Sequence, residues 1–146
     1  MIGDSDTTGW GGASLEQTFN VTITNSMITY FYAVVLHDAG TGHQTYEQPF
    51  FKAEVFDCSG NLLTCAQYLV VGGPSIPGFS LSPLVTSVYY KPWSPVSFNL
   101  TPYVGSCVKV KFTVGDCSQG AHFSYAYIDA VCDIFKVDVK AQTCPT

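Results

Sequence analysis

Along most of this chain apolar and polar residues alternate one for one. Phe19, Val21 and Ile23 are interleaved with Asn20, Thr22 and Thr24, and Val108, Val110, Phe112 and Val114 with Lys109, Lys111 and Thr113. Successive side chains on a strand point to opposite faces, so this period of two predicts strands with one buried and one wetted face. The run 27–36 is instead apolar or aromatic nearly throughout, the pattern of a central strand covered on both sides. Further strands are expected over 50–56, 66–71, 86–90, 96–100, 122–128 and 134–139. No segment carries a sustained helical period with caps, so the expected fold class is all-β.

Turn signals separate the strands: Thr24-Asn25-Ser26, Asp38-Ala39-Gly40-Thr41-Gly42, Ser59-Gly60-Asn61, Gly72-Gly73-Pro74 and Gly115-Asp116-Cys117. Short strands punctuated in this way point to a two-sheet antiparallel β-sandwich with jelly-roll topology. The stretch 72–83, rich in Pro, Gly and Ser, is expected to be a functional loop or a crossing between sheets. One domain is expected over 1–146, with an N-terminal arm at 1–14 and a C-terminal strand and tail at 134–146. A chain of 146 residues can bury about 68–70% of its unfolded surface and needs no partner to hold a core.

Charge narrows the function classes. The net charge is −5 and all six basic residues are Lys, so the counterion release that drives nucleic-acid binding is weak and no guanidinium fork is present. No apolar run approaches the roughly 18 residues of a spanning helix. The opening Met-Ile-Gly-Asp-Ser-Asp lacks a charged-then-apolar signal pattern, so a mature or excised domain is expected. Charged residues make up only 12% of the chain, about half the usual share; a surface left to Ser, Thr, Asn, Gln and Tyr suits an extracellular setting.

Six cysteines, Cys58, Cys65, Cys107, Cys117, Cys132 and Cys144, form an even set without a C-x-x-C pair, which favours disulfides over zinc. Cys58 and Cys65 flank a Gly-Asn turn between strand-like runs and are expected to bridge across a hairpin. Cys117 and Cys132 flank the strand at 122–128 and are expected to pair, which leaves Cys107 with Cys144 by elimination.

Three constellations could carry chemistry. The loop His37-Asp38-Ala39-Gly40-Thr41-Gly42-His43, followed by Glu47, gathers imidazoles and carboxylates between two strong strands; its competing reading is a polar turn in which Asp38 binds local amides. The second runs from Gly115 to Asp129, with His122 opening a strand and Asp129 closing it. Asp129, with Glu16 or Asp133 and loop carbonyls, could ligate Ca²⁺, which takes 6–8 oxygens in irregular geometry. Zinc is disfavoured because His37, His43 and His122 have no tight ligand spacing. The third is aromatic: Tyr89-Tyr90-Lys91-Pro92-Trp93 and the isolated Trp10 could stack on sugar C–H faces, against the competing reading that large aromatics fill the core. No nucleophile motif is present, so catalysis is not expected, a glycan-active hydrolase being the enzymatic alternative.

Three stretches resemble a sandwich module of large secreted and cell-surface proteins of Bacteroidota, the type IX-secreted and gliding-motility-associated proteins. They are Tyr32-Ala33-Val34-Val35-Leu36 through Asp38, Gly42 and His43 to Glu47-Gln48-Pro49-Phe50-Phe51; Tyr89-Tyr90-Lys91-Pro92-Trp93 to Phe98-Asn99-Leu100; and Thr113 through Gly115-Asp116-Cys117 to His122-Phe123-Ser124-Tyr125-Ala126-Tyr127-Ile128-Asp129-Ala130. The resemblance implies an exported adhesin-like or carbohydrate-binding-like jelly roll. Tyr127-Ile128-Asp129 is also similar to the last strands of calcium-bearing, galactose-binding-like modules, where such an Asp helps hold a structural Ca²⁺. The tail 134–146, with Cys144, departs from the pattern.

The expectation is therefore an extracellular, non-catalytic module that binds polysaccharide or cell-surface glycan through Asp38, His43, Glu47, His122, Tyr90 and Trp93. It would sit among the neighbouring domains of a larger secreted protein, without nucleic acid or membrane span. The alternative is a structural spacer or adhesion repeat with no small ligand.

Overall fold

The computed structural model describes residues 1–5 and 11–131, with backbone alone for Cys65 and Val131. Among the described residues nine strands follow one another: β1 (Ile2–Gly3), β2 (Gly12–Asn20), β3 (Met27–His37), β4 (Phe50–Asp57), β5 (Leu62–Val71), β6 (Ser80–Leu81), β7 (Val88–Asn99), β8 (Cys107–Gly115) and β9 (Ser124–Val131). They form a five-stranded sheet in the order β1-β9-β3-β7-β6 and a four-stranded sheet in the order β2-β8-β4-β5. Every pairing is antiparallel. With β6 set aside as an edge addition, the chain passes between the sheets in the two Greek keys of a jelly roll. Among the described residues no helix is long and apolar enough to cross a membrane.

The alternation read from the sequence decides the core. In β3, Ile28, Tyr30, Tyr32, Val34 and Leu36 are buried while Thr29, Phe31, Ala33, Val35 and His37 face the other way. Their counterparts on the opposing sheet are Phe51, Ala53 and Val55 of β4 and Val108, Val110, Phe112 and Val114 of β8. Tyr32 stacks on Phe51 across the interface with ring centroids 5.2 Å apart. Thus β3 is covered on one side by the second sheet, and its other face remains partly open.

Two of the expected strands, 86–90 and 96–100, are one strand, β7, which runs straight through Pro92 and Pro95. Proline cannot donate to a ladder and is tolerated where a strand has an unpaired side. Here β6 pairs only Tyr89 and Tyr90, so beyond Tyr90 the outer side of β7 is free of it. The register with β3 slips between Tyr32 and Val34: Tyr32 faces Ser94 while Val34 faces Lys91, so Pro92 and Trp93 together oppose Ala33. Such a bulge turns side chains to new directions. Part of the expected N-terminal arm is also strand, since β1 pairs with β9 and β2 opens at Gly12.

The disulfide differs from the expected scheme. Cys58 bonds to Cys107, with Cα atoms 5.5 Å apart. The β4–β8 register explains it, because Asp57 pairs with Val108 and therefore brings the next residue of one strand beside the preceding residue of the other. Across the β4–β5 hairpin, Phe56 pairs with Leu62 and Glu54 with Gln67, so Cys65 lies in the irregular stretch level with Val55, behind Cys58. The Cys58–Cys65 and Cys107–Cys144 pairs are accordingly not formed. Cys117 keeps a free, buried thiol, so the pair with Cys132 is not made; Cys132 and Cys144 lie outside the described residues.

Candidate functional site

Two connections at one end of the sandwich meet. The β3–β4 connection, 38–49, is pinned by the buried Gln48, whose Oε1 accepts from Ala39 N–H at 2.9 Å and whose Nε2 donates to the Gly40 carbonyl at 3.1 Å. Asp38 accepts from Gly40 N–H at 2.9 Å, the local turn that was its competing reading. Glu47 accepts from Gln44 N–H at 2.7 Å. That bond, with a second from the Gln119 side chain, holds the Glu47 carboxyl below the usual range.

The β8–β9 connection, 116–123, folds on itself. Cys117 N–H donates to the His122 carbonyl and Gly120 N–H to the Cys117 carbonyl, both at 3.0 Å. Gly120 and Ala121 close this turn at φ of 82° and 72°, a region open to glycine and strained for alanine. The two connections are fastened together where Ser118 N–H donates to the Glu47 carbonyl at 3.0 Å. Asp116 accepts from both the N–H and the hydroxyl of Ser124 at 2.7 and 3.1 Å, yet burial outweighs these bonds and pushes its carboxyl up.

This docking brings together residues that the sequence keeps far apart. The His122 ring meets His37 edge-on at 4.8 Å and His43 at 5.1 Å. Ligand atoms of His43, Cys117 and His122 all lie within 4.8 Å of one another. Both ring nitrogens of His43 and Nδ1 of His37 and of His122 are buried without a hydrogen-bond partner. Burial, with His122 as a second cause and Asp38 opposing, lowers the His37 pKa. Of the residues expected here, His43 and His122 do converge, whereas Asp38 is committed to its own loop and Glu47 bonds to Gln44 and Gln119.

The same end continues into an aromatic face. Phe123 lies 5.1 Å from His37 and stacks at 6.0 Å on Tyr125, which meets Tyr127 at 6.1 Å; Tyr127 in turn meets Trp93 at 6.4 Å. These rings lie on the outer face of the five-stranded sheet, since Tyr125 and Tyr127 pair with the outward Val35 and Ala33 of β3. Trp93 is 55%, Tyr127 45% and Tyr90 37% exposed. Ala33 stands between Trp93 and Tyr127, and its single methyl lets rings from the two flanking strands lean toward each other. Tyr90 and Trp93 therefore face solvent; Trp10 lies outside the described residues.

Of the residues expected around calcium, Glu16 and Asp129 belong to different sheets. Glu16 is on β2 of the four-stranded sheet, 3.6 Å from Lys109. Asp129 is exposed on β9 of the other sheet, in register with Phe31, and Asp133 lies outside the described residues. Among the described residues, the one group of three potential metal-ligating side chains contains neither Glu16 nor Asp129.

Sequence reasoning missed Cys117 as a neighbour of the two histidines, and missed Tyr127 as the partner of Trp93. The second had a legible signal, because Tyr125, Tyr127 and Asp129 alternate with Ala126 and Ile128. Comparison with protein-family models, with curated proteins and with solved structures found no match.

Proposed function

We propose that this domain is a non-catalytic glycan-binding module whose recognition surface is the outer face of the five-stranded sheet. The observation that carries the reading is the Trp93–Tyr127 pair, two large rings 6.4 Å apart and about half exposed. Exposed aromatics on one sheet face offer flat apolar area to the C–H faces of pyranose rings, while the phenol hydroxyls of Tyr90 and Tyr127 and the carboxylate of Asp129 can bond sugar hydroxyls. A core role, the competing account of Trp93, requires burial that this residue lacks. The Cys58–Cys107 bond supports an oxidising, extracellular compartment, and so a place in a larger secreted or surface protein.

The test is a glycan array followed by titration of the best neutral oligosaccharide. Trp93→Ala, at an exposed position, should weaken binding at least about tenfold, equivalent to roughly 1.4 kcal/mol, with an unchanged melting temperature. Absence of any glycan that binds the wild type, or equal affinity in Trp93→Ala, would leave the spacer reading in its place.

A further inference from the structure

We propose that His43, Cys117 and His122 are the ligands of a zinc ion, held where the two loops dock at the end of the sandwich. Two imidazoles and one thiol are the donor types that zinc selects, and three protein ligands leave a fourth tetrahedral position for water. The sequence hides the set because its members come from two connections more than 70 residues apart, each crossing between the sheets: spacing argues against zinc, and the fold supplies the proximity.

Three observations support the site. First, the ligand atoms already lie within 4.8 Å of one another, whereas a zinc ion with bonds of about 2.0–2.3 Å needs them about 3.5 Å apart; closure requires a contraction of about 1 Å, within reach of side-chain rotation. Second, both nitrogens of His43 and Nδ1 of His122 are buried without partners. A buried polar atom left unpaired is destabilising, and coordination through one nitrogen of each imidazole satisfies that nitrogen. Third, the sulfur is prepared: Cys117 is fully buried and free, and Gln119 N–H donates to its Sγ at 3.3 Å, a bond that strengthens as the thiol becomes a thiolate.

Binding would proceed with the Cys117 thiol losing its proton to solvent as the zinc–sulfur bond forms, one proton released per ion. His37 lies edge-on to His122 at 4.8 Å. The zinc site is independent of glycan binding, and the two proposals fail separately.

Cobalt(II) is the probe, added to the whole chain after removal of metals with EDTA and desalting, without reductant so that the disulfide stays closed. One equivalent should produce a sulfur-to-cobalt charge-transfer band in the near ultraviolet and the intense visible bands of tetrahedral cobalt, and zinc should abolish both. Cys117→Ser, close in shape to the wild type, should lose the charge-transfer band. His43→Ala and His122→Ala should each weaken cobalt binding by at least about tenfold, and Trp93→Ala should leave the spectrum unchanged. A wild-type protein without the charge-transfer band, a requirement that does not depend on any variant folding, would overturn the proposal. So would a band that persists in Cys117→Ser, because the thiolate would then be another cysteine.

Discussion

Tyr30 and Tyr32 are two residues apart on β3, both almost fully buried, and their hydroxyls have opposite fates. The Tyr32 hydroxyl shares a 2.7 Å hydrogen bond with that of Tyr68, while the Tyr30 hydroxyl is buried without a partner. Both rings are well packed, Tyr30 edge-on to Phe112 at 4.9 Å and Tyr32 stacked on Phe51. Desolvation of an unpaired hydroxyl is a pure cost, whereas removing one member of a pair strands the other. Tyr30→Phe should therefore raise stability by about 1 kcal/mol and Tyr32→Phe lower it by about 1 kcal/mol. Urea unfolding of the two variants beside wild type checks this, and a loss of stability in Tyr30→Phe refutes the account. The sequence places both tyrosines in a buried strand. It does not show which hydroxyl is satisfied, because the partner comes from β5 of the other sheet, 36 residues away.

Most elements were legible because alternation is a local signal: β3, β4 and β8 begin and end within a residue or two of their expected limits. What escaped depends on neighbours. The expected strands 86–90 and 96–100 leave a gap that β7 in fact spans, and its prolines are tolerated because β6 pairs only Tyr89 and Tyr90. Cys58 and Cys65 read as a hairpin bridge, yet Cys58 bonds across the β4–β8 pair, to a cysteine 49 positions away. A closure of that length constrains the unfolded chain by about 4 kcal/mol in the chain-entropy account, with measured values commonly about 2–4 kcal/mol. The double variant Cys58→Ser, Cys107→Ser should lose stability in that range, and peptide mapping without reduction should recover Cys58 joined to Cys107. A denaturation midpoint unchanged in the double variant would show that this bond contributes nothing to holding β4 against β8. The metal-type cluster escaped for the same reason, since His43 and Cys117 meet only after the loops following β3 and β8 dock.

At the scale of the whole molecule, the distribution of charge separates one class of sugar from another. The chain has no Arg, and its net charge is −5. Of its six Lys, Lys52 pairs with Glu54 at 3.1 Å and Lys109 with Glu16 at 3.6 Å. Lys91 is the only lysine in the described strands of the five-stranded sheet. It turns away from the aromatic face, donating to the Gly78 carbonyl at 3.2 Å and lying 5.7 Å from the Phe79 ring centre. The outer face therefore offers rings, hydroxyls and the Asp129 carboxylate, and among the described strands no lysine or arginine turned toward it to receive a uronate or sulfate. Stacking and neutral hydrogen bonds are little affected by added salt, while ion pairs at an exposed surface are screened beyond about 10 Å at 0.1 M and beyond about 3 Å at 1 M. Affinity for the preferred oligosaccharide should thus change by less than about twofold between these salt concentrations, and replacing a neutral sugar by its uronate should weaken binding. Calorimetric titration of the matched neutral and acidic oligosaccharides at both ionic strengths measures each effect. Tighter binding of the acidic sugar, lost as salt rises, would mean that recognition runs through a cationic surface elsewhere on the protein and not through the Trp93–Tyr127 face.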